Sequence, residues 1–148
     1  LARRIVSERL RLSPADAFPD EEGSVADVLL RVHRSYLAAL RPVLDRVHAM
    51  AHITGGGLPG NLNRALPPDL DAVVDGSSWE IPTVFQVLER AGEVPRDEMF
   101  RAFNMGVGMV VICASDDALA VIESARAVGA PAWVMGEVRP GSGVVVLK

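Results

Sequence analysis

Apolar positions change their spacing along this chain several times, and each change predicts an element. Leu1, Ala2, Ile5, Val6 and Leu10 share one face of a helix that Ser13-Pro14 stops. Phe18–Gly23, with Asp20, Glu21 and Glu22, reads as a solvated loop. Ser24 is placed to cap a short helix through Leu30, with Asp27 in its first turn. Arg34-Ser35-Tyr36-Leu37 reads as a short strand, and Pro42 opens a helix to about Val47. Ala49–Ile53 is a strand that runs directly into Gly55-Gly56-Gly57. Leu58, Leu62, Ala65 and Leu66 then recur at helical spacing between Pro59 and Pro67-Pro68.

The second half continues the alternation. Leu70–Asp75 reads as a strand, followed by the helical stripe Ile81, Val84, Phe85, Leu88 and Ala91 between Pro82 and Gly92. Another short helix begins near Asp97 and ends before Asn104. Val107–Ala114 is apolar at consecutive positions, which predicts a central strand covered on both faces. Asp116 is placed to cap a helix with Leu119, Ile122, Ala125 and Val128 on its face, ended by Gly129 and Pro131. Ala132–Val138 and Val144–Leu147 read as strands joined by Arg139–Gly143. The fold class this predicts is α/β (α+β), a mixed sheet covered by helices in one domain over residues 1–148. Strand order stays open.

Composition narrows the chemistry. The 148 residues are 49% hydrophobic, enough for a substantial core. Net charge is -4 with a pI near 5.3, so no broad basic surface invites nucleic acid or anionic lipid. Lys148 is the only lysine, which leaves arginine as the partner for phosphate or carboxylate. One cysteine, Cys113, lies in an apolar run and reads as a buried thiol; a cytoplasmic compartment is expected. No apolar run reaches the roughly 18–20 residues of a membrane helix, and no secretory signal pattern opens the chain. A helical face that starts at Leu1 without a cap leads us to expect a piece of something longer.

Two segments carry the candidate chemistry. Around Gly55, Gly56 and Gly57 the pattern is strand, glycine turn, helix, in which backbone N–H groups can converge on an oxyanion. Thr54 and Asn61 are placed to add side-chain hydrogen bonds. The other reading of the triplet is a tight turn with close helix–strand packing. His52, at the strand end, reads as a proton-transfer or substrate-bonding residue, or as a histidine that orders the loop. In the second segment, Asn104 precedes Gly106 and Gly108, where glycine marks either close approach of a ligand or a bulge. His33 and His48 read as surface residues, and three histidines at these spacings make no zinc pattern. Trp79 reads as an anchor, and Asp69, Asp71 and Asp75 as a solvated strand edge.

His52–Leu58 with Asn61, Arg64 and Leu66-Pro67, then Trp79, Pro82, Phe85, Gly92, Glu98-Met99 and Phe103–Val110, resembles the aminoimidazole ribonucleotide synthetase family, or phosphoribosylformylglycinamidine cyclo-ligases. The match runs over most of residues 1–138 and concerns the carboxyl-terminal domain alone. The resemblance implies a three-layer α/β/α domain, partly ferredoxin-like, that forms one wall of a cleft for formylglycinamidine ribonucleotide. It implies ATP and Mg2+ as cofactors of the full enzyme, held mostly by an amino-terminal half absent here, and a homodimer. His52 then corresponds to an active-site residue, with Thr54, Gly55, Gly56, Gly57, Asn61, Asn104 and Gly106 lining the cleft. Val32-His33-Arg34-Ser35-Tyr36 stands where the family has Pro-Thr-Arg-Ile-Tyr, and keeps only the arginine and the tyrosine. The chain alone is expected to be inactive. Alternatives are formylglycinamidine synthetase or selenophosphate synthetase, which share the two-half plan, and a non-catalytic module that binds a phosphorylated metabolite.

Overall fold

A computed structural model describes residues 1–148. Helix α1 (Ala2–Arg4) passes directly into a π-helical stretch, Ile5–Arg9, that buries Ile5 and Val6. Helix α2 (Val25–Leu29) begins at the expected cap. Ser24 Oγ accepts from Asp27 N–H at 3.2 Å while the Asp27 carboxylate accepts from Ser24 N–H at 2.9 Å. Next come α3 (Leu37–Leu40), a 3-10 turn (Arg41–Arg46) and strand β1 (Val47–His52). Helix α4 (Gly57–Leu62), a 3-10 turn (Asn63–Ala65) and β2 (Leu70–Val74) follow. Helices α5 (Thr83–Gly92) and α6 (Arg96–Ala102) lead to β3 (Met109–Cys113). A 3-10 turn (Ser115–Asp117), α7 (Ala118–Ala127), β4 (Gly136–Pro140) and β5 (Val145–Leu147) complete the chain.

The architecture is mixed α/β, as the alternation predicted. The strands divide between two sheets: β1 pairs antiparallel with β3, and β2 lies between antiparallel β4 and parallel β5. A core of 19 buried residues takes Ala51 and Val110 from one sheet, Ala72 and Val74 from the other, and Leu58, Leu62, Leu88 and Met99 from the helices. The two sheets therefore share one interior. Each fully buried Leu, Ile or Val there stabilises the fold by roughly 1.5–3 kcal/mol.

Several expectations are corrected. The run Val107–Ala114 contains β3, yet β3 pairs only with β1 and is not central. Only its core face is closed, and the opposite face is half-buried. Val110 enters the core, and on the opposite face Met109 lies with Leu37, Leu40 and Leu44. Arg34–Leu37 is no strand: an irregular segment enters α3 at Leu37, with Tyr36 already helical in its backbone. Phe18 is buried, so the Phe18–Gly23 loop is solvated only beyond it.

Asp116 does not cap α7: it lies within the 3-10 turn Ser115–Asp117 that runs into the helix. The N-cap position falls to Asp117, whose backbone is already helical and whose carboxylate pairs with Arg46 at 2.7 Å. Leu119 and Val128 stay exposed, since α7 meets α3 through the small residues Ala39 and Ala125, reinforced by a bond from Ser124 Oγ to the Ala39 carbonyl. Strand β4 starts only at Gly136, and Arg139-Pro140 belong to it. As an edge strand it tolerates the missing proline N–H.

Asp71 is also no solvated edge. It is buried, and its carboxylate accepts N–H bonds from Ser142 at 2.8 Å and Val144 at 3.0 Å. The β4–β5 connection folds over it, a contact between residues far apart in sequence.

Candidate functional site

The two glycine segments meet. Strand β1 hands on to the first through Ile53, whose N–H donates to the Gly108 carbonyl at 2.9 Å. His52 sits directly across from Met109. Residues some fifty positions apart thus form adjacent loops at one end of the β1–β3 pair.

In the first loop Gly57 N–H closes on the Thr54 carbonyl at 3.0 Å, and Gly56 and Gly57 take positive φ of 97° and 58°. The Asn61 amide reaches back from α4 to the carbonyls of Thr54, Gly55 and Gly57, at 3.3, 3.2 and 2.8 Å. Its Oδ1 lies 3.5 Å from Thr54 Oγ1. Asn61 is therefore an internal strut that fixes the carbonyls inward. The N–H groups of Thr54, Gly55 and Gly56 donate to no backbone carbonyl of the chain and stand on an exposed loop.

The three glycines differ in what surrounds them. A Cβ on Gly57 would meet the Phe100 carbonyl oxygen at 1.7 Å, so this glycine serves the contact between α4 and α6. A Cβ on Gly55 would meet nothing within 4 Å. The packing reading holds for Gly57, and the open, ligand-accessible position is Gly55.

In the second loop, Asn104 O accepts from Val107 N–H at 2.9 Å, and Asn104 Oδ1 accepts from Gly106 N–H at 3.1 Å. Met105 and Gly106 both have positive φ, 51° and 97°, as a type I′ turn requires. A left-handed methionine is costly, and it is held by complete burial and by Trp79, whose indole N–H donates to the Met105 carbonyl at 2.9 Å. Trp79 is the anchor the sequence suggested. Gly106 leaves room for Pro82, whose Cδ would lie 2.6 Å from an added Cβ.

His52 is exposed and does not stand alone. Its Nε2 lies 3.0 Å from Nε2 of His33, and the Tyr36 ring stands edge-on to both imidazoles. Burial raises the Tyr36 phenol above its usual range, with Arg34 pulling the other way. The Arg34 guanidinium donates to the Gly129 carbonyl at 2.8 Å. Sequence reasoning missed His33 and Tyr36 as neighbours of His52. The one available signal was the altered Val32–Tyr36 segment.

His33, Tyr36, His52, Met50 and Met109 border an open depression of about 600 Å3. A larger one, about 1180 Å3, lies beside Trp79, Arg90 and Arg96, and no residue of either glycine loop lines it. Its arginines are tied to carboxylates, Arg90 to Asp20 and Arg96 to Glu89. Cys113 is half-buried: burial raises its thiol above the usual range, and the Asp117 charge adds to the effect.

Comparisons with known proteins place the chain in a family. The family described as AIR synthase related protein, C-terminal domain, matches residues 5–148. A phosphoribosylformylglycinamidine cyclo-ligase from Sorangium cellulosum is 44% identical over 142 residues, covering 93% of this chain and 41% of the relative. One from Pseudothermotoga lettingae is 34% identical over 148 residues, covering 99% of this chain and 43% of the relative. The chain thus spans about two-fifths of the length of these relatives. In fold, it is similar to thiamine-monophosphate kinase from Stenotrophomonas maltophilia, with a TM-score of 0.64 at 20% identity, over 99% of this chain and 45% of that one. No helix is long and apolar enough to cross a membrane.

Proposed function

The chain belongs to the AIR synthase related proteins, as their carboxyl-terminal domain, and from that premise we propose that it forms the substrate-binding wall of a phosphoribosylformylglycinamidine cyclo-ligase. The substrate is formylglycinamidine ribonucleotide, closed to the imidazole in an ATP-dependent step. The observation that carries the reading is the Ile53–Gly108 hydrogen bond, which sets both glycine loops side by side with His52 at their edge.

Each group has a part that follows from its geometry. The outward N–H groups of Thr54, Gly55 and Gly56 bind an oxyanion of the ribonucleotide. Asn61 holds the carbonyls of Thr54, Gly55 and Gly57, and Gly60 N–H holds that of Gly56, so that the approaching anion meets donors. Asn104 uses its oxygen inside its own turn and keeps its Nδ2 donors for the ligand. His52 gives or takes a proton at the cleft edge, where imidazole chemistry suits neutral pH. ATP, when bound, supplies the phosphoryl group that turns the formyl oxygen into a leaving group. No three His, Cys, Asp or Glu side chains are arranged to hold a metal ion together, so the residues of this chain do not fit Mg2+.

The amino-terminal half of a full-length relative supplies the rest in this reading. Residues 1–148 alone will not turn over the ribonucleotide, whereas joining them to the amino-terminal part of the Sorangium relative will restore ring closure. Turnover by the chain alone would sink the proposal, as would an inactive but folded fusion.

Gly55→Ala isolates the cradle from the fold. Its Cβ meets nothing within 4 Å and its φ is ordinary, so the melting temperature will not move. The methyl group will occupy the space an oxyanion needs, weakening ribonucleotide binding by the fusion about tenfold, near 1.4 kcal/mol. Calorimetric titration showing wild-type affinity would assign this loop to structure.

A further inference from the structure

We propose that His33 and His52 form a two-imidazole chelate for a divalent transition cation of the zinc, nickel or copper type. The inference does not rest on the function proposed above. Their Nε2 atoms are 3.0 Å apart, with ring centroids 4.9 Å apart and planes inclined by 56°. Two imidazole nitrogens bound to one ion at about 2.0–2.1 Å are themselves separated by roughly 2.9–3.4 Å, for angles between square and tetrahedral. The observed pair falls inside that range.

Without an ion the same two nitrogens share a hydrogen bond, and an arriving cation takes the place of its proton. A linear N–H···N bond would set the ring centres about 5.4 Å apart, end to end. At 4.9 Å the rings lean off the line joining the nitrogens.

The surroundings hold this arrangement. His52 ends β1, and His33 comes from the segment before α3, which closes over Gly108. A Cβ there would lie 2.9 Å from His33 Cε1 and 1.8 Å from the Tyr36 hydroxyl, so glycine is what allows the closure. Both imidazoles are exposed to an arriving ion.

The thioethers of Met50 and Met109 border the same depression, together with Tyr36 and the cations Arg34 and Arg41, and no carboxylate lines it. That donor set is nitrogen and sulfur, which suits zinc, nickel or copper and not Mg2+ or Ca2+. Two protein ligands leave the remaining positions to water or to an oxygen of a bound anion, for which the two arginines are a favourable flank.

The test is calorimetric titration of the 148-residue chain with ZnCl2 and with NiCl2. One ion per chain is expected, with binding weakened at least about tenfold in His33→Ala and equally in His52→Ala. His48 is exposed on the same strand, and His48→Ala will bind as the wild type does. His52→Gln keeps a polar group of similar reach and guards against a folding artefact, with circular dichroism as the check. MgCl2 at millimolar concentration will not compete. The proposal is overturned if no saturable binding is found, if a folded His33 or His52 variant binds like the wild type, or if His48→Ala removes it.

Discussion

A Gly57→Ala chain will melt roughly 10 °C below the wild type, or fail to fold, because two independent costs fall on one methyl group. The first is steric: the added Cβ lies 1.7 Å from the Phe100 carbonyl oxygen and 2.9 Å from that of Phe103. Both are backbone atoms at the end of α6, and neither can rotate away as a side chain would. Forcing α4 and α6 apart disturbs Leu58, Leu62 and Met99, all buried. Overpacking of this kind costs about 1–3 kcal/mol. The second cost is conformational, since a φ of 58° burdens any residue with a Cβ by about 1–2 kcal/mol. A thermal melt followed by circular dichroism is the measurement. A midpoint within about 2 °C of the wild type would show that the helices separate freely, contrary to their close packing.

Asp71→Asn will lower the denaturation midpoint at neutral pH, and the loss will shrink in acid. The N–H groups of Val144 and Ser142 hold the Asp71 carboxyl below its ordinary range, against the desolvation that burial imposes. A carboxyl depressed in the folded state binds protons more weakly there than in the unfolded chain. It therefore stabilises the fold above the unfolded value of about 3.9, and that contribution is lost as pH falls through the folded value. The asparagine variant has no such titration. Denaturant curves at pH 7 and at about pH 3 are expected to show the two proteins converging in acid. A gap that stays constant would mean that the carboxylate charge contributes nothing. The site of damage is foreseeable, because Asp71 ties the Gly141–Val144 turn to β2 and so secures β5 alongside it.

What the sequence revealed here followed the range of each interaction. Ser24 and Asp27 cap a helix through contacts three residues apart, and both the residues and the helix start were legible. Pro82 and Gly92 bounded α5 for the same local reason. Both glycine loops were visible as departures from regular patterning, but the hydrogen bond that joins them spans some fifty residues and has no local sequence mark. Asp71 misled because strand alternation says which face a residue shares, not which distant turn lies upon it. His33 is exposed as the sequence suggested, yet nothing in its neighbourhood announces a contact with His52 nineteen residues later. Leu119 and Val128 keep helical spacing yet remain exposed, because small residues on α3 and α7 make the contact instead. Within the glycine triplet, only three-dimensional crowding separates the packed Gly57 from the open Gly55.

The bond from Ile53 N–H to the Gly108 carbonyl has a thermodynamic consequence for any ligand of these loops. With Asn61 bracing one loop and Trp79 fastening the other, both are immobilised when the chain folds. Their conformational entropy is surrendered to folding and not to association. A small anion arriving here finds its donors already aligned, so complex formation needs little further ordering of the protein. The association rate of such a ligand is then set by diffusion and desolvation, without a preceding search among loop conformations.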